Sequence, residues 1–179
     1  MEKLDLSKVY RHYYTAKTRP ELVNIEPAKF ISITGKGDPS GKPFADNIAA
    51  LYSTAYTIKF SFKSNNKDFV VSKLEGLWWY DENKFKNKAA ANTPAEVPRS
   101  EWEYRLLIRM PEFVEKQDMD VAIKTVIDKK ALTLASQVEY FEMKEGQCVQ
   151  MLHIGPFSTE PETIQKIISF ININGFERN

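Results

Sequence analysis

The densest chemistry in the sequence is the run Glu75-Gly76-Leu77-Trp78-Trp79-Tyr80, followed by Glu101-Trp102-Glu103-Tyr104-Arg105. A carboxylate set among Leu and Trp is desolvated, and its pKa rises toward neutrality, which suits a general acid or base. Carboxylates are rarely buried without a task or a partner, so Glu75 is the candidate catalytic residue and Arg105 a partner for it. Strand alternation puts Glu75, Leu77 and Trp79 on one side and Trp78 on the other, and gives Trp102 and Tyr104 a common face. If Trp79, Trp102 and Tyr104 share one sheet face, they line a concave aromatic wall with Tyr52 and Tyr56 nearby, and such walls hold flat ligands. Aromatics on amphipathic elements are equally core residues, and for Trp78, Tyr52 and Tyr56 both readings stand. His153, in the apolar run Met151-Leu152-His153-Ile154, is a hydrogen-bonded structural histidine or a ligand contact. Tyr52, Tyr56, Trp79, Trp102, Tyr104, Arg105 and His153 are thus the candidate ligand-binding set.

Other chemistries find no support. The one cysteine, Cys148, and the two histidines, His12 and His153, make no zinc-type cluster, so no metal is expected. An apolar strand would raise the Cys148 pKa and leave an inert core thiol. No nucleophile elbow, phosphate-binding loop or H-E-x-x-H helix is present, and Gly35-Lys36-Gly37 is too short for a dinucleotide fingerprint, so no cofactor is expected. The 25 Lys and Arg balance 24 Asp and Glu, a formal charge of +1, which argues against a nucleic-acid partner; Lys84 to Lys88 is the only local basic cluster. No stretch nears the roughly 18 apolar residues of a membrane span, and the N-terminus lacks a signal-peptide core. A cytoplasmic, unprocessed domain is expected, a monomer or a homodimer. At 179 residues it is one domain, long enough to bury its own core.

The elements that must position these residues read as follows. Leu4 to Thr15 is a lead-in helix or arm, with Leu6, Val9, Tyr10, Tyr13 and Tyr14 loosely on one side. Leu22 to Ile25 and Phe30 to Gly35 form a hairpin across Glu26-Pro27-Ala28, and a glycine-rich loop leads to a helix with Phe44, Ile48, Leu51, Ala55, Ile58 and Phe62 on its stripe. Asp68 to Tyr80 and the cleanly alternating Trp102 to Met110 are antiparallel neighbours, joined by a long exposed loop over 81–100. A second helix runs from about Met119 to Lys130. Val138 to Met143 and Gln147 to Ile154 make a second hairpin. The third helix opens on a Thr159–Glu162 capping box, buries Ile164, Ile167, Ile168 and Ile171, and stops at Gly175-Phe176.

Phe30 to Pro43 and Cys148 to Pro161 share Gly37 with Gly155, Ser40 with Ser158 and Pro43 with Pro161, all at an offset of 118 (155−37, 158−40, 161−43). Each segment closes a hairpin and opens a helix, the order expected of a duplicated α+β unit. The predicted class is α+β: two pseudo-symmetric units with antiparallel sheets around a central ligand cleft. Residues 1–19 are an arm, 20–113 the first unit, 114–137 a connecting helix and 138–179 the second unit. Strands matching those that start at Phe69 and Trp102 would start near position 187 (69+118) and beyond, past Asn179, so the second unit reads as lacking its final strands.

The runs TIKFSFK (Thr57 to Lys63), LEGLWW (Leu74 to Trp79), EWEYRLLIRMPEF (Glu101 to Phe113) and MLHIGPFSTEPETI (Met151 to Ile164), taken in this order, resemble the GyrI-like small-molecule-binding superfamily, in its stand-alone branch. The resemblance implies two pseudo-symmetric units around a cleft. Members bind multidrug-type aromatic cations as effector domains of regulators, one class is linked to gyrase inhibition, and the stand-alone branch includes hydrolases that open the cyclopropane of DNA-alkylating natural products. In those hydrolases pocket aromatics hold the flat ligand and glutamates direct water. Carried onto this chain, Trp79, Trp102 and Tyr104 are the wall and Glu75 the carboxylate. Relatives of the branch continue with a strand bearing a further acidic residue, in a motif similar to H-H-E-I-Y-L, which this chain ends before. The expected function is capture of flat hydrophobic small molecules with hydrolysis of strained rings; the alternatives are a non-catalytic binding or sensor module and a gyrase-inhibitor-like protein.

Overall fold

The computed structural model of the chain describes residues 3–86 and 92–177. Its elements are α1 (Leu6–Val9), α2 (Arg11–Tyr14), β1 (Glu21–Ile25), β2 (Ala28–Lys36), α3 (Lys42–Ser64), β3 (Leu74–Trp79), α4 (Thr93–Glu96), β4 (Glu103–Arg109), α5 (Lys116–Lys130), β5 (Glu139–Met143), β6 (Gly146–Gln150) and α6 (Glu160–Ile173). The strands form two antiparallel sheets, one ordered β3-β4-β2-β5 and one of β1 and β6 alone. The α+β class and the β3–β4 pairing follow the sequence pattern, Trp79 lying opposite Glu103 and Leu74 opposite Ile108.

Neither expected hairpin closes. β1 pairs with β6, and β2 pairs with β4 and β5, so the two strands of each expected hairpin lie in different sheets. The reason is in the larger sheet: both edges of β2 are taken, by β4 and β5, which leaves β1 no edge of β2 and β6 no free neighbour but β1. This exchange sets β1 and β6 beside the open face of the larger sheet and creates the space between them.

The core lies on the other face of that sheet. Ile31, Ile33, Leu106 and Ile108 pack there against Leu51, Ala55 and Ile58 of α3 and Met119 and Ala122 of α5. Full burial of each large aliphatic side chain contributes about 1.5–3 kcal/mol. α5 starts earlier than its apolar stripe suggests, on a capping box of Glu115 and Asp118. α6 departs from expectation twice: its isoleucine stripe is only half-buried, and Thr159 forms no capping box but donates its hydroxyl to Pro156 O at 2.9 Å. Its stop is as predicted. Gly175 has φ +68, and the Phe176 amide donates to Ile171 O at 3.1 Å. The expected 81–100 loop holds α4 and a 3₁₀ turn at Arg99–Glu101, while residues 87–91 lie outside the described residues.

Gly35 sits opposite Tyr104 across the β2–β4 ladder, where a Cβ would run into the Tyr104 ring. That ring cannot yield. Asn47 Nδ2 donates to its hydroxyl at 3.1 Å and Phe44 packs edge-on at 4.9 Å. Gly35→Ala is therefore expected to lower stability by roughly 1–3 kcal/mol through overpacking, read as a fall in thermal midpoint; an unchanged midpoint would contradict this packing.

Candidate functional site

The register that places Glu75 opposite Leu107, Leu77 opposite Arg105 and Trp79 opposite Glu103 puts all six side chains on the sheet face away from α3. Residues 3–17 cross this face as a strap. At one end Leu4 exchanges backbone hydrogen bonds with Asp68 and Val70; at the other Leu152 donates to Lys17 O at 2.7 Å. Leu6, buried, pins the middle. The strap lays Tyr10, Tyr13 and Tyr14 over the start of β3 and the end of β4.

Glu75 is the centre of the resulting cluster. The Tyr13 hydroxyl donates to Glu75 Oε2. Burial pushes the Glu75 pKa up to about 7, although the Tyr13 hydrogen bond and the Arg109 charge pull it down and Glu145 adds to the rise. Burial and the same hydrogen bond keep Tyr13 protonated, its pKa well above the ordinary phenol value. Arg109 is 2% exposed, its guanidinium carbon lying 3.8 Å from the Tyr10 ring centre and 4.9 Å from that of Tyr13. A cavity of about 370 Å³ opens onto this group between the two sheets, lined among others by Tyr13, Tyr14, Ile25, Glu75, Glu145 and Cys148. Burial, helped by Glu145, pushes the Cys148 thiol up to about 11, so it stays protonated. A larger depression of about 510 Å³ lies between α5 and β5, lined by Lys116, Asp120 and Tyr140 among others, with no member of the Glu75 group on its wall.

The expected aromatic wall is divided between the two faces. Trp79 stays on the Glu75 side, 40% exposed, with Nε1 donating to Glu103 Oε2 at 3.1 Å. Tyr104 is on the helix side, 1% exposed in the core, because its strand neighbour opposite is Trp78 rather than Trp79. Trp78 covers Phe44 there at 5.8 Å. Trp102 precedes β4, packs edge-on against Tyr80 at 5.1 Å and donates to Val97 O at 3.3 Å. Tyr52 and Tyr56 lie along α3 with their rings 6.3 Å apart, on the face away from Glu75. Arg105 is not the partner of Glu75: it donates to Ser32 Oγ at 2.8 Å and Glu139 Oε2 at 3.0 Å, over the Phe141 ring. His153 contacts Thr163 Oγ1 at 2.8 Å and Pro156 O at 3.2 Å, tying the segment that follows β6 to α6.

Sequence reasoning missed Tyr10, Tyr13, Tyr14 and Arg109 as site residues. Their signal was in the pattern: three tyrosines on one side of the arm, and an arginine closing the apolar run Leu106-Leu107-Ile108 on the Glu75 side of the alternation. Because the Tyr13 hydrogen bond stabilises the Glu75 carboxylate, Tyr13→Phe is expected to raise the Glu75 pKa further. Carbon-detected NMR titration of the Glu75 carboxyl checks this, and an unchanged or lower midpoint would contradict the arrangement.

No three or more His, Cys, Asp or Glu side chains among the described residues are grouped to hold a metal ion. No helix among them is long and apolar enough to cross a membrane.

Three solved structures have this fold at 32% sequence identity, covering 97% of this chain and 82% of theirs. One is an uncharacterized conserved protein from Listeria innocua, TM-score 0.84, and two are described as hydrolases from the same organism, TM-scores 0.82 and 0.84. No curated protein matches the chain. The model of the GyrI-like small molecule binding domain matches residues 18–179, which span β1 to α6 and leave the strap outside. The chain belongs to the GyrI-like small-molecule-binding domain family.

Proposed function

We propose that the chain takes flat, hydrophobic aromatic molecules into the cavity beside Glu75 and hydrolyses strained rings, cyclopropane-bearing alkylators among them, a detoxifying reaction. The observation behind this is Glu75 itself, a cavity-lining carboxylate oriented by Tyr13 and held by burial near pKa 7, half in each protonation state at neutrality. Leu77 and Trp79, 38% and 40% exposed on the same sheet face, extend an apolar strip from it along β3. Trp79 is thus the wall residue of this reading, and Tyr13 and Tyr14 replace the side chains that face elsewhere.

In the proposed reaction the Glu75 carboxylate takes a proton from water as the water oxygen bonds to a cyclopropane carbon. The carbon–carbon bond breaks, and its electron pair passes into the conjugated carbonyl, whose oxygen finishes as a phenol after taking up a proton. One water is added overall. The hydrolase description of two relatives supports this direction.

Titration of tryptophan fluorescence with a panel of flat aromatic compounds tests the binding half. Saturable quenching, reduced in Trp79→Leu, is expected; a panel that leaves the fluorescence unchanged would refute ligand binding on the Glu75 face.

A further inference from the structure

The hydrolysis of a strained ring needs a second proton carrier besides Glu75. As the carbon–carbon bond breaks, negative charge gathers on the carbonyl oxygen of the ligand, and charge that develops in a cavity is stabilised by a donor already aimed at it. Glu75 cannot be that donor. In this step it is the base, and its own charge repels an oxyanion. The donor must stand elsewhere on the cavity wall.

The other side-chain donors there are already engaged. The Tyr13 hydroxyl donates to Glu75 Oε2. The Tyr14 hydroxyl is turned to Ser72, and the Cys148 thiol to Glu145. Gln150 Nε2 donates to Thr15 O and to Glu21 Oε1, each at 3.2 Å. Lys73 remains. It lines the cavity, is exposed, and makes no hydrogen bond or ion pair among the described residues. It is also the only cation among the described residues of a wall that carries two carboxylates, Glu75 and Glu145. The Arg109 charge acts on Glu75, but its guanidinium lies off this wall, buried against the Tyr10 and Tyr13 rings.

Its place in the chain suits the task. Lys73 stands two residues before Glu75, directly ahead of β3, and both line the cavity. Two residues of extended chain span about 6–7 Å and return to the same side. The flexible four-carbon stem then lets the ammonium follow the far end of a ligand whose ring carbon lies at Glu75.

We propose that Lys73 is a second catalytic residue of this site, the acid that meets the carbonyl oxygen while Glu75 activates water. This rests on the Glu75 cavity being the place of hydrolysis. Glu75 takes a proton from water and the water oxygen bonds to the ring carbon. The carbon–carbon pair passes through the conjugated system to the carbonyl oxygen, which takes a proton from the Lys73 ammonium and finishes as a phenol. The proton on Glu75 returns to the Lys73 amine through solvent, so both groups are restored and one water is added. The pair also orients the ligand, with its strained ring toward Glu75 and its carbonyl toward Lys73.

The test follows hydrolysis of a cyclopropane-bearing alkylator by mass analysis with the wild type, Lys73→Met and Lys73→Arg, all as the full chain. Lys73→Met is expected to lower kcat about 10²-fold, the low end for loss of one oxyanion donor because Lys73 is exposed. Ligand affinity should stay within about threefold, since the carbonyl is uncharged before the reaction. Lys73→Arg should recover part of the loss. The rise of rate with pH through about 7 should keep its place in Lys73→Met, because burial, Tyr13, Arg109 and Glu145 set the Glu75 value and Lys73 is not among them. An electron-withdrawing substituent on the ligand ring, which makes the product phenol more acidic, should shrink the loss. Full turnover in Lys73→Met would overturn the role of Lys73 and leave hydrolysis at Glu75 standing. So would a loss that moves with the pH rise, which would act through Glu75, or a loss that the substituent does not change. A wild type that binds the ligand and leaves it intact would overturn the hydrolysis itself, and Lys73 with it.

Discussion

Glu75→Gln is expected to lower hydrolysis of a cyclopropane-bearing ligand by about 10²–10⁴-fold, the range for loss of a positioned general acid or base, while ligand affinity stays within about threefold. The amide keeps the shape and can still accept the Tyr13 hydroxyl, so the cavity survives; what is lost is a group able to take the proton of water. A pH–rate profile gives the complementary expectation. If the carboxylate is the acting form, the rate rises with pH through about 7, the Glu75 value, and levels off above it. Retained turnover in the variant would remove Glu75 from the reaction and leave the chain a binding module.

The same substitution is expected to make the protein more stable in alkali. The Glu75 pKa stands at about 7 in the fold against 4.5 for the ordinary carboxyl, because burial penalises its charge. A raised carboxyl favours folding fully below the unfolded value, and that contribution is lost as pH rises toward the folded one. The interval is worth roughly 3 kcal/mol. Wild-type stability should therefore decline between about pH 4.5 and 7 by this contribution, and Glu75→Gln, uncharged throughout, should lack it and exceed the wild type at pH 8. Denaturant unfolding at pH 5 and pH 8 measures both. A variant with the same pH dependence as the wild type would mean that Glu75 is well solvated. Together the two expectations describe a residue that costs the fold stability at working pH, as strained functional groups do.

The β3–β4 pairing of the larger sheet and its helices were legible, because β4 alternates cleanly and the helices carry regular stripes, whereas the places of β2 and β5 beside β4 were not. Trp102 to Met110 fixed β4, and Leu51, Ala55 and Ile58 fixed the buried side of α3. The strand exchange was not legible, since short runs such as Glu21–Ile25 bear no mark of which partner they take and adjacency in sequence favours a hairpin. The site followed the same division. Glu75 stood out as a carboxylate among apolar neighbours, a local property, whereas its partners depended on register. A one-residue shift moves every side chain to the other face, which is why Tyr104 lies in the core and Trp79 beside Glu103. The strap was the largest omission. Short helices such as Leu6–Val9 and Arg11–Tyr14 have too few turns for periodicity to reveal what they cover, and only tertiary contact brings Tyr13 to Glu75.

The most direct measurement of the central claim is mass analysis of a cyclopropane-bearing aromatic ligand after incubation with wild-type protein and with Glu75→Gln. A ligand that gains one water with the wild type and stays unchanged with the variant, while both proteins bind it saturably, is the predicted result. A ligand that leaves the wild type unchanged despite saturable binding would contradict hydrolysis at Glu75.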